Sequence, residues 1–186
     1  MKKIRHLLPL IFFSVYITQA NANALKTIAH TAVPDTLLNI TAPEFVLKDL
    51  NGNTVRLTDY KGKILVLDFW ATWCVPCRQS FPIMETVIAK YKDDPNVKFL
   101  FIDTKEVSDP KKVKKFLSDN KYPFEVAFDD LTSSTFKNYQ MPGIPSKYVI
   151  DANGVIRFQE LGLNTLKTAA VLADELSVMI ERARGK

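Results

Sequence analysis

Three features of the sequence predict a mixed α/β domain whose last strands run antiparallel. Ile64 to Trp70 (ILVLDFW) is a near-continuous apolar run, as expected of a central strand buried on both faces. From Cys74 onward the apolar period changes, and Phe81, Met84, Ile88 and Tyr91 recur every three or four residues, as one face of a helix requires. Near the end, Ser146 to Ile150 and Val155 to Glu160 flank the turn Asp151-Ala152-Asn153-Gly154 and read as a hairpin.

At the N-terminus, Met1, Lys2, Lys3 and Arg5 precede an apolar run from Leu7 to Ile17, and small and polar residues follow to Ala24. Basic start, apolar middle and small residues at the end mark residues 1–24 as a signal peptide, cut after Ala22 or Ala24. A membrane span needs about 20 mostly apolar residues, and Thr18, Gln19, Asn21 and Asn23 interrupt the run first. Export to the periplasm is therefore expected, with tethering by an uncleaved leader as the alternative. No cysteine lies near the cut to accept a lipid. Removing 1–24 lowers the formal balance from 25 basic against 20 acidic residues to 22 against 20, a nearly neutral remainder. Nothing in that charge points to nucleic acid or to an anionic membrane. About 160 residues remain, the size of one domain, with enough apolar content for one packed core.

Residues 25–41 show no period and read as a flexible lead-in, so the domain is placed at 42–186. Phe45-Val46-Leu47 and Thr54-Val55-Arg56-Leu57 flank Asn51-Gly52, a strong turn signal, and predict an N-terminal hairpin. Lys61-Gly62-Lys63 leads into the central strand, in which Asp68 is the anomaly. The helix after Cys74 contains Pro82, which should kink it. Val97 to Ile102 reads as the next buried strand. Asp109-Pro110 caps a second helix with Val113, Phe116 and Leu117 inward and Lys111, Lys112, Lys114 and Lys115 as a solvated face. Phe124 to Phe128 suggests a short strand and Leu131 to Tyr139 a short helix. Leu166, Ala169, Ala173, Leu176 and Ile180 mark a closing amphipathic helix that ends near Gly185. There are no internal repeats.

Cys74 and Cys77 are the chain's two cysteines. A bridge over two intervening residues closes a very small loop and stabilises little, so the pair suits chemistry better than support. Zinc in a structural site takes four protein ligands, and beyond the leader the chain offers one histidine, His30, in the lead-in. Covalent haem attachment needs histidine directly after the second cysteine, where Arg78 stands. No metal and no bound cofactor are expected. At a helix start, unpaired N–H groups and the positive end of the dipole favour a thiolate at Cys74, below the free pKa of about 8.5. Cys77, less than one turn on, is placed to resolve a mixed disulfide. Val75-Pro76 constrains the turn between them.

These motifs together resemble the thioredoxin superfamily, and within it the exported TlpA/ResA-like branch, over roughly residues 42–184. The resemblance rests on Ala42-Pro43-Glu44-Phe45, on Leu67 through Arg78 with Trp73-Cys74-Val75-Pro76-Cys77 at its centre, on Pro82 five residues beyond Cys77, and on Gly143-Ile144-Pro145 before Ser146 to Asp151. It implies a thioredoxin fold, a mixed central sheet flanked by helices, with a strand-helix insertion between Cys77 and Pro145. It further implies a cis Pro145 against the nucleophilic sulfur, leaving the Ile144 backbone to pair with an extended substrate. Trp73, Val75 and Pro76 complete the expected docking surface, whereas Trp70 reads as core.

An acid in a buried strand is costly when charged and should titrate high. Asp68 lies six residues before Cys74, where the family holds a buried carboxyl behind the second cysteine, which implies proton transfer to and from Cys77. In thioredoxin a lysine on the neighbouring strand accompanies that acid. Phe99 stands at its place here, which points to a more apolar setting.

The implied reaction is attack by Cys74 on a partner disulfide and release by Cys77, with Asp68 assisting. The resemblance favours a monomeric reductant of envelope proteins, serving cytochrome c maturation or another thiol pathway and recharged by a membrane electron donor. Alternatives are a thiol oxidant or isomerase, a non-catalytic binding module, and a peroxidase. Peroxiredoxins share a Thr-x-x-Cys motif, but Ala71 holds its threonine place here.

Overall fold

The computed structural model describes residue 33 and residues 37–104, 109–129 and 135–185. The expected leader and most of the lead-in lie outside them. The chain divides into Met1–Asp35 and Thr36–Lys186, and all that follows concerns the second unit.

Eight strands form one sheet in the order β1-β8-β7-β4-β5-β6-β2-β3. They are β1 (Ile40–Thr41), β2 (Val46–Asp49), β3 (Thr54–Arg56), β4 (Ile64–Trp70), β5 (Val97–Asp103), β6 (Val126–Phe128), β7 (Ser146–Ile150) and β8 (Val155–Leu161). Four α-helices accompany them among the described residues, α1 (Val75–Tyr91), α2 (Pro110–Asn120), α3 (Thr135–Asn138) and α4 (Ala169–Ala183), with a 3-10 turn at Leu57–Tyr60. β4 runs parallel to β5 and antiparallel to β7, so it is paired on both edges. All seven of its residues are buried, as its apolar run requires.

Side chains alternate across a strand, and β4 serves two different cores. Leu65, Leu67 and Phe69 join the cluster that includes Phe45, Leu57, Tyr139 and Tyr148. On the other face, Trp70 meets Phe81 of α1 edge-on at 5.2 Å. Phe81 also touches Phe101 of β5, Phe116 of α2, and Tyr122 and Phe124 before β6. The strand-helix insertion β5-α2-β6 is thus anchored to the helix that follows the cysteines. α4 lies beside α1, where the Tyr91 hydroxyl donates to the Ser177 carbonyl at 3.3 Å.

The hairpins form where the turns predict them, β2 with β3 and β7 with β8. Asp109 accepts from the Lys111 and Lys112 N–H groups and caps α2, and the lysine cluster of that helix is exposed. α1 runs unbroken through Pro82. Two expectations need correction. The end of the lead-in is not loose, because Ile40 and Thr41 pair with Ile156 and Val155 as an edge strand. The closing helix starts at Ala169, because the Thr168 hydroxyl accepts the Val171 N–H and ends the preceding loop there. Leu166 consequently lies outside the helix, 96% exposed. The short helix before β7 extends over Thr135–Asn138, and residues 130–134 fall outside the described set.

Phe81 is fully buried, and truncating a buried aromatic costs about 3–5 kcal/mol through lost transfer energy and a residual cavity. Phe81→Ala is expected to lower unfolding stability by that amount, read as a reduced urea midpoint with the disulfide kept intact in both proteins.

Candidate active site

β4 ends at Trp70, and a four-residue turn, Ala71-Thr72-Trp73-Cys74, hands the chain to α1. Cys74 is the N-cap, with extended backbone angles, and its Sγ accepts the Cys77 N–H at 3.2 Å. A sulfur stands where a capping oxygen would normally satisfy the free donors of the first turn. Pro76, in that first turn, has no N–H to leave unsatisfied. Cys74 and Cys77 form a disulfide with a Cα separation of 5.3 Å. Both are buried, Cys77 completely and Cys74 to within 3%. Trp73 and Val75 beside them are each more than half exposed, and Pro76 is exposed as well. An apolar rim therefore surrounds a sulfur pair that shows little of itself to solvent.

The Ile144–Pro145 peptide is cis. Ser146 pairs with Phe69 in the β7–β4 ladder, which sets Pro145 one step further along, at the sheet end where β4 gives way to the cysteines. Pro145 is buried and its carbonyl accepts the Gly162 N–H at 2.8 Å, whereas Ile144 is half-buried against the core.

Asp68 shares a face of β4 with Trp70, the face covered by α1. Cys77 precedes Phe81 by four residues, so both side chains lie along one stripe of α1, directed at that face. Asp68 is 1% exposed and its Oδ1 meets no hydrogen-bond partner among the described residues. Its surroundings are not the apolar ones that Phe99 suggested. Lys147, 6% exposed, pairs with Asp68 in the β4–β7 ladder and brings Nζ to 3.4 Å from Oδ2. On β5 Phe101 stands opposite Asp68, and the lysine beside the acid comes from the other neighbouring strand, β7. Burial dominates and raises the Asp68 pKa, while the Lys147 ammonium pulls in the opposite direction. At 3.4 Å the contact is longer than a good charge-assisted hydrogen bond, in keeping with only partial compensation.

Sequence reasoning missed Lys147. A lysine within Ser146 to Ile150, whose other members are apolar or small, was an available signal, because a lysine buried in a central strand needs an acidic partner. Across from Lys147 in the β7–β8 ladder stands Glu160, also not anticipated. It is half-buried, and its pKa is raised by burial and by the carboxyls of Glu175 and Asp68, against the lowering effect of Lys147 and Lys167.

Residues 38–159 match the family model described as AhpC/TSA. The chain is 36% identical over 126 residues to the thioredoxin-like protein YneN of Bacillus subtilis (strain 168), a match spanning 68% of this chain and 72% of that one. It is 36% identical over 115 residues to the thiol-disulfide oxidoreductase ResA of Bacillus thuringiensis subsp. konkukian, covering 62% of this chain and 64% of the relative's length. Among solved structures it resembles a crystal structure described as a putative thiol:disulfide interchange protein DsbE from Chlorobium tepidum. That likeness has a TM-score of 0.67 and 33% identity, over 80% of this chain and 99% of that one.

A raised native pKa makes Asp68 a pH-dependent liability. Between the unfolded value of about 3.9 and the raised native value, the folded protein binds more protons than the unfolded one. Stability is then lost as pH rises through that window. Asp68→Asn removes this dependence, so its unfolding free energy should gain on the parent by about 1.4 kcal/mol per pH unit there and level off above it. Urea titrations of both oxidised proteins over a pH series would show the divergence; parallel curves would rule out a raised Asp68.

Proposed function

Because the chain belongs to the AhpC/TSA family and is a thiol–disulfide oxidoreductase of the thioredoxin fold, we propose that it is exported and reduces disulfides in envelope proteins. The observation that carries the division of labour is the capping of α1 by Cys74. Its Sγ receives the Cys77 N–H and sits at the positive end of the helix dipole, both of which favour the thiolate. Cys74 is the nucleophile. Cys77, fully buried, is the resolving thiol, and Asp68 takes up its proton.

The cycle balances without any bound cofactor. The Cys74 thiolate attacks a partner disulfide, forms a mixed disulfide and expels one partner thiolate, which is protonated by solvent. Cys77 gives its proton to Asp68 and attacks the Cys74 sulfur, closing the Cys74–Cys77 bond and releasing the second partner thiolate. Two electrons pass to the partner and the pair is left oxidised, so an electron donor, proposed to be a membrane thiol reductant, must recharge it. Trp73, Val75 and Pro76 are the docking rim, and the Ile144 backbone beside Pro145 is the place for an extended partner segment to pair. Reduction is favoured over oxidation by the resemblance to the TlpA/ResA-like branch and by the modest segment between β5 and β6, where the described helix is the 11-residue α2. Cytochrome c maturation is the pathway that this likeness suggests.

The reduction potential of the Cys74/Cys77 couple tests direction. A value near or below about −250 mV, toward that of thioredoxin, is expected, and one of about −120 to −180 mV would make the protein an oxidant or isomerase. Cys77→Ser should accumulate mixed disulfides with envelope proteins through Cys74, and finding none would count against the assigned roles.

A further inference from the structure

Lys147 faces in two directions. Its ammonium pairs with Asp68, and it also lines a cleft of about 210 Å³ between β8, α1 and α4. Asp68 does not line that cleft. Ser80 does, one turn beyond Cys77 on α1, with its hydroxyl donating to the Cys77 carbonyl at 2.7 Å. The remaining polar walls are Glu160, Glu175 and Lys167, the last two joined by an ion pair of 2.6 Å. Charges thus run in sequence from a completely buried carboxyl beneath the active-site helix to a space large enough for several waters.

We propose that this cleft is the proton exit for the resolving cysteine, with Lys147 coupling Asp68 to it and Glu160 setting how strongly Lys147 favours the Asp68 carboxylate. The proposal rests on the assignment of Asp68 as acceptor of the Cys77 proton. In the resolving step that proton moves from Cys77 Sγ to Asp68, and the thiolate displaces the partner from Cys74. Lys147 then gives one ammonium proton to Glu160 or to water in the cleft and takes the Asp68 proton in exchange, so that charge is conserved at each transfer. Such an exit has a physical reason. With a partner docked on the rim of Trp73, Val75 and Pro76, the sulfur side is covered, whereas none of these three residues lines the cleft.

The charged and titratable groups around Asp68 come from several elements. β7 supplies Lys147, β8 supplies Glu160, α4 supplies Glu175 and the loop before it Lys167, while α1 brings Cys77 and β5 presents Phe101. Lys147 and Glu160 act on Asp68 with opposite signs. A cation within about 4–6 Å lowers a carboxyl pKa by 1–3 units, and a neighbouring carboxylate raises it.

The test is the pH profile of the resolving step, read as release of the second thiolate when the reduced protein reacts with an aromatic disulfide in a single turnover. Lys147→Met should move the inflection up by about one pH unit or more. Glu160→Gln should move it down, and Lys147→Arg, which keeps the positive charge but cannot release a proton, should hold the inflection near the parent value while slowing the resolving step. A residue that merely supports the fold would not produce shifts of opposite sign. Glu160 is half-buried, so its variant tests the coupling even if Lys147→Met fails to fold. Asp68→Asn should abolish the inflection. If it does so while neither Lys147→Met nor Glu160→Gln moves the parent inflection, the exit is refuted and Asp68 stands. If Asp68→Asn leaves the profile as it was, the assignment of Asp68 itself falls.

Discussion

The site depends on a single constraint, that β4 is buried on both faces and hands directly to α1 at its carboxyl end. Pairing on both edges, with β5 and β7, leaves β4 no freedom of register. The turn from Ala71 to Cys74 therefore starts from a defined point, and the first free N–H groups of α1 lie over a rigid sheet end. A cysteine at that cap has donors around its sulfur because of where it is, without any special neighbour. Phe81 keeps the geometry in place by binding α1 to Trp70 and to the aromatic side chains of the β5-α2-β6 insertion.

The same double burial explains why charged groups beneath α1 matter. A charge in water is well solvated, and one in a protein core is costly unless paired and hydrogen-bonded. Asp68 meets a single ammonium at 3.4 Å, and neither of its oxygens has a well-formed hydrogen bond among the described residues. That is too little to offset burial fully, so the Asp68 pKa is raised, and the proposed cycle uses that carboxyl as acceptor of the Cys77 proton. Lys147 in turn stands across from Glu160 of β8 and lines the same cleft as Glu175 of α4. What looks in the sequence like scattered surface charge is one connected set lying between sheet and helices.

Most of the architecture was legible in residue order. The ILVLDFW run, the Asn51-Gly52 and Asp151–Gly154 turns, and the shift of period after Cys74 are local signals, and each corresponds to an element where the sequence places it. The misreadings also share a cause. Leu166 fits the apolar period of the closing helix, but a hydroxyl at Thr168 decides where that helix begins. Ile40 and Thr41 carry no strand signal, because a two-residue edge strand exists only by virtue of the partner, β8, that it meets.

By itself the sequence determined that two cysteines stand at the start of a helix, spaced for chemistry more than for support, while the proline before a buried strand and the acid six residues upstream of the first cysteine gained their expected roles only from the family resemblance. The cysteine spacing is a local matter, which helix geometry converts directly into position. Which base accompanies the acid was decided only by the tertiary structure. Asp68 and Lys147 are 79 positions apart and meet through the antiparallel register of β4 and β7, and Glu160 joins them through the register of β7 and β8. No period within either segment encodes that meeting, because strand pairing over such separations is settled by packing of the whole sheet.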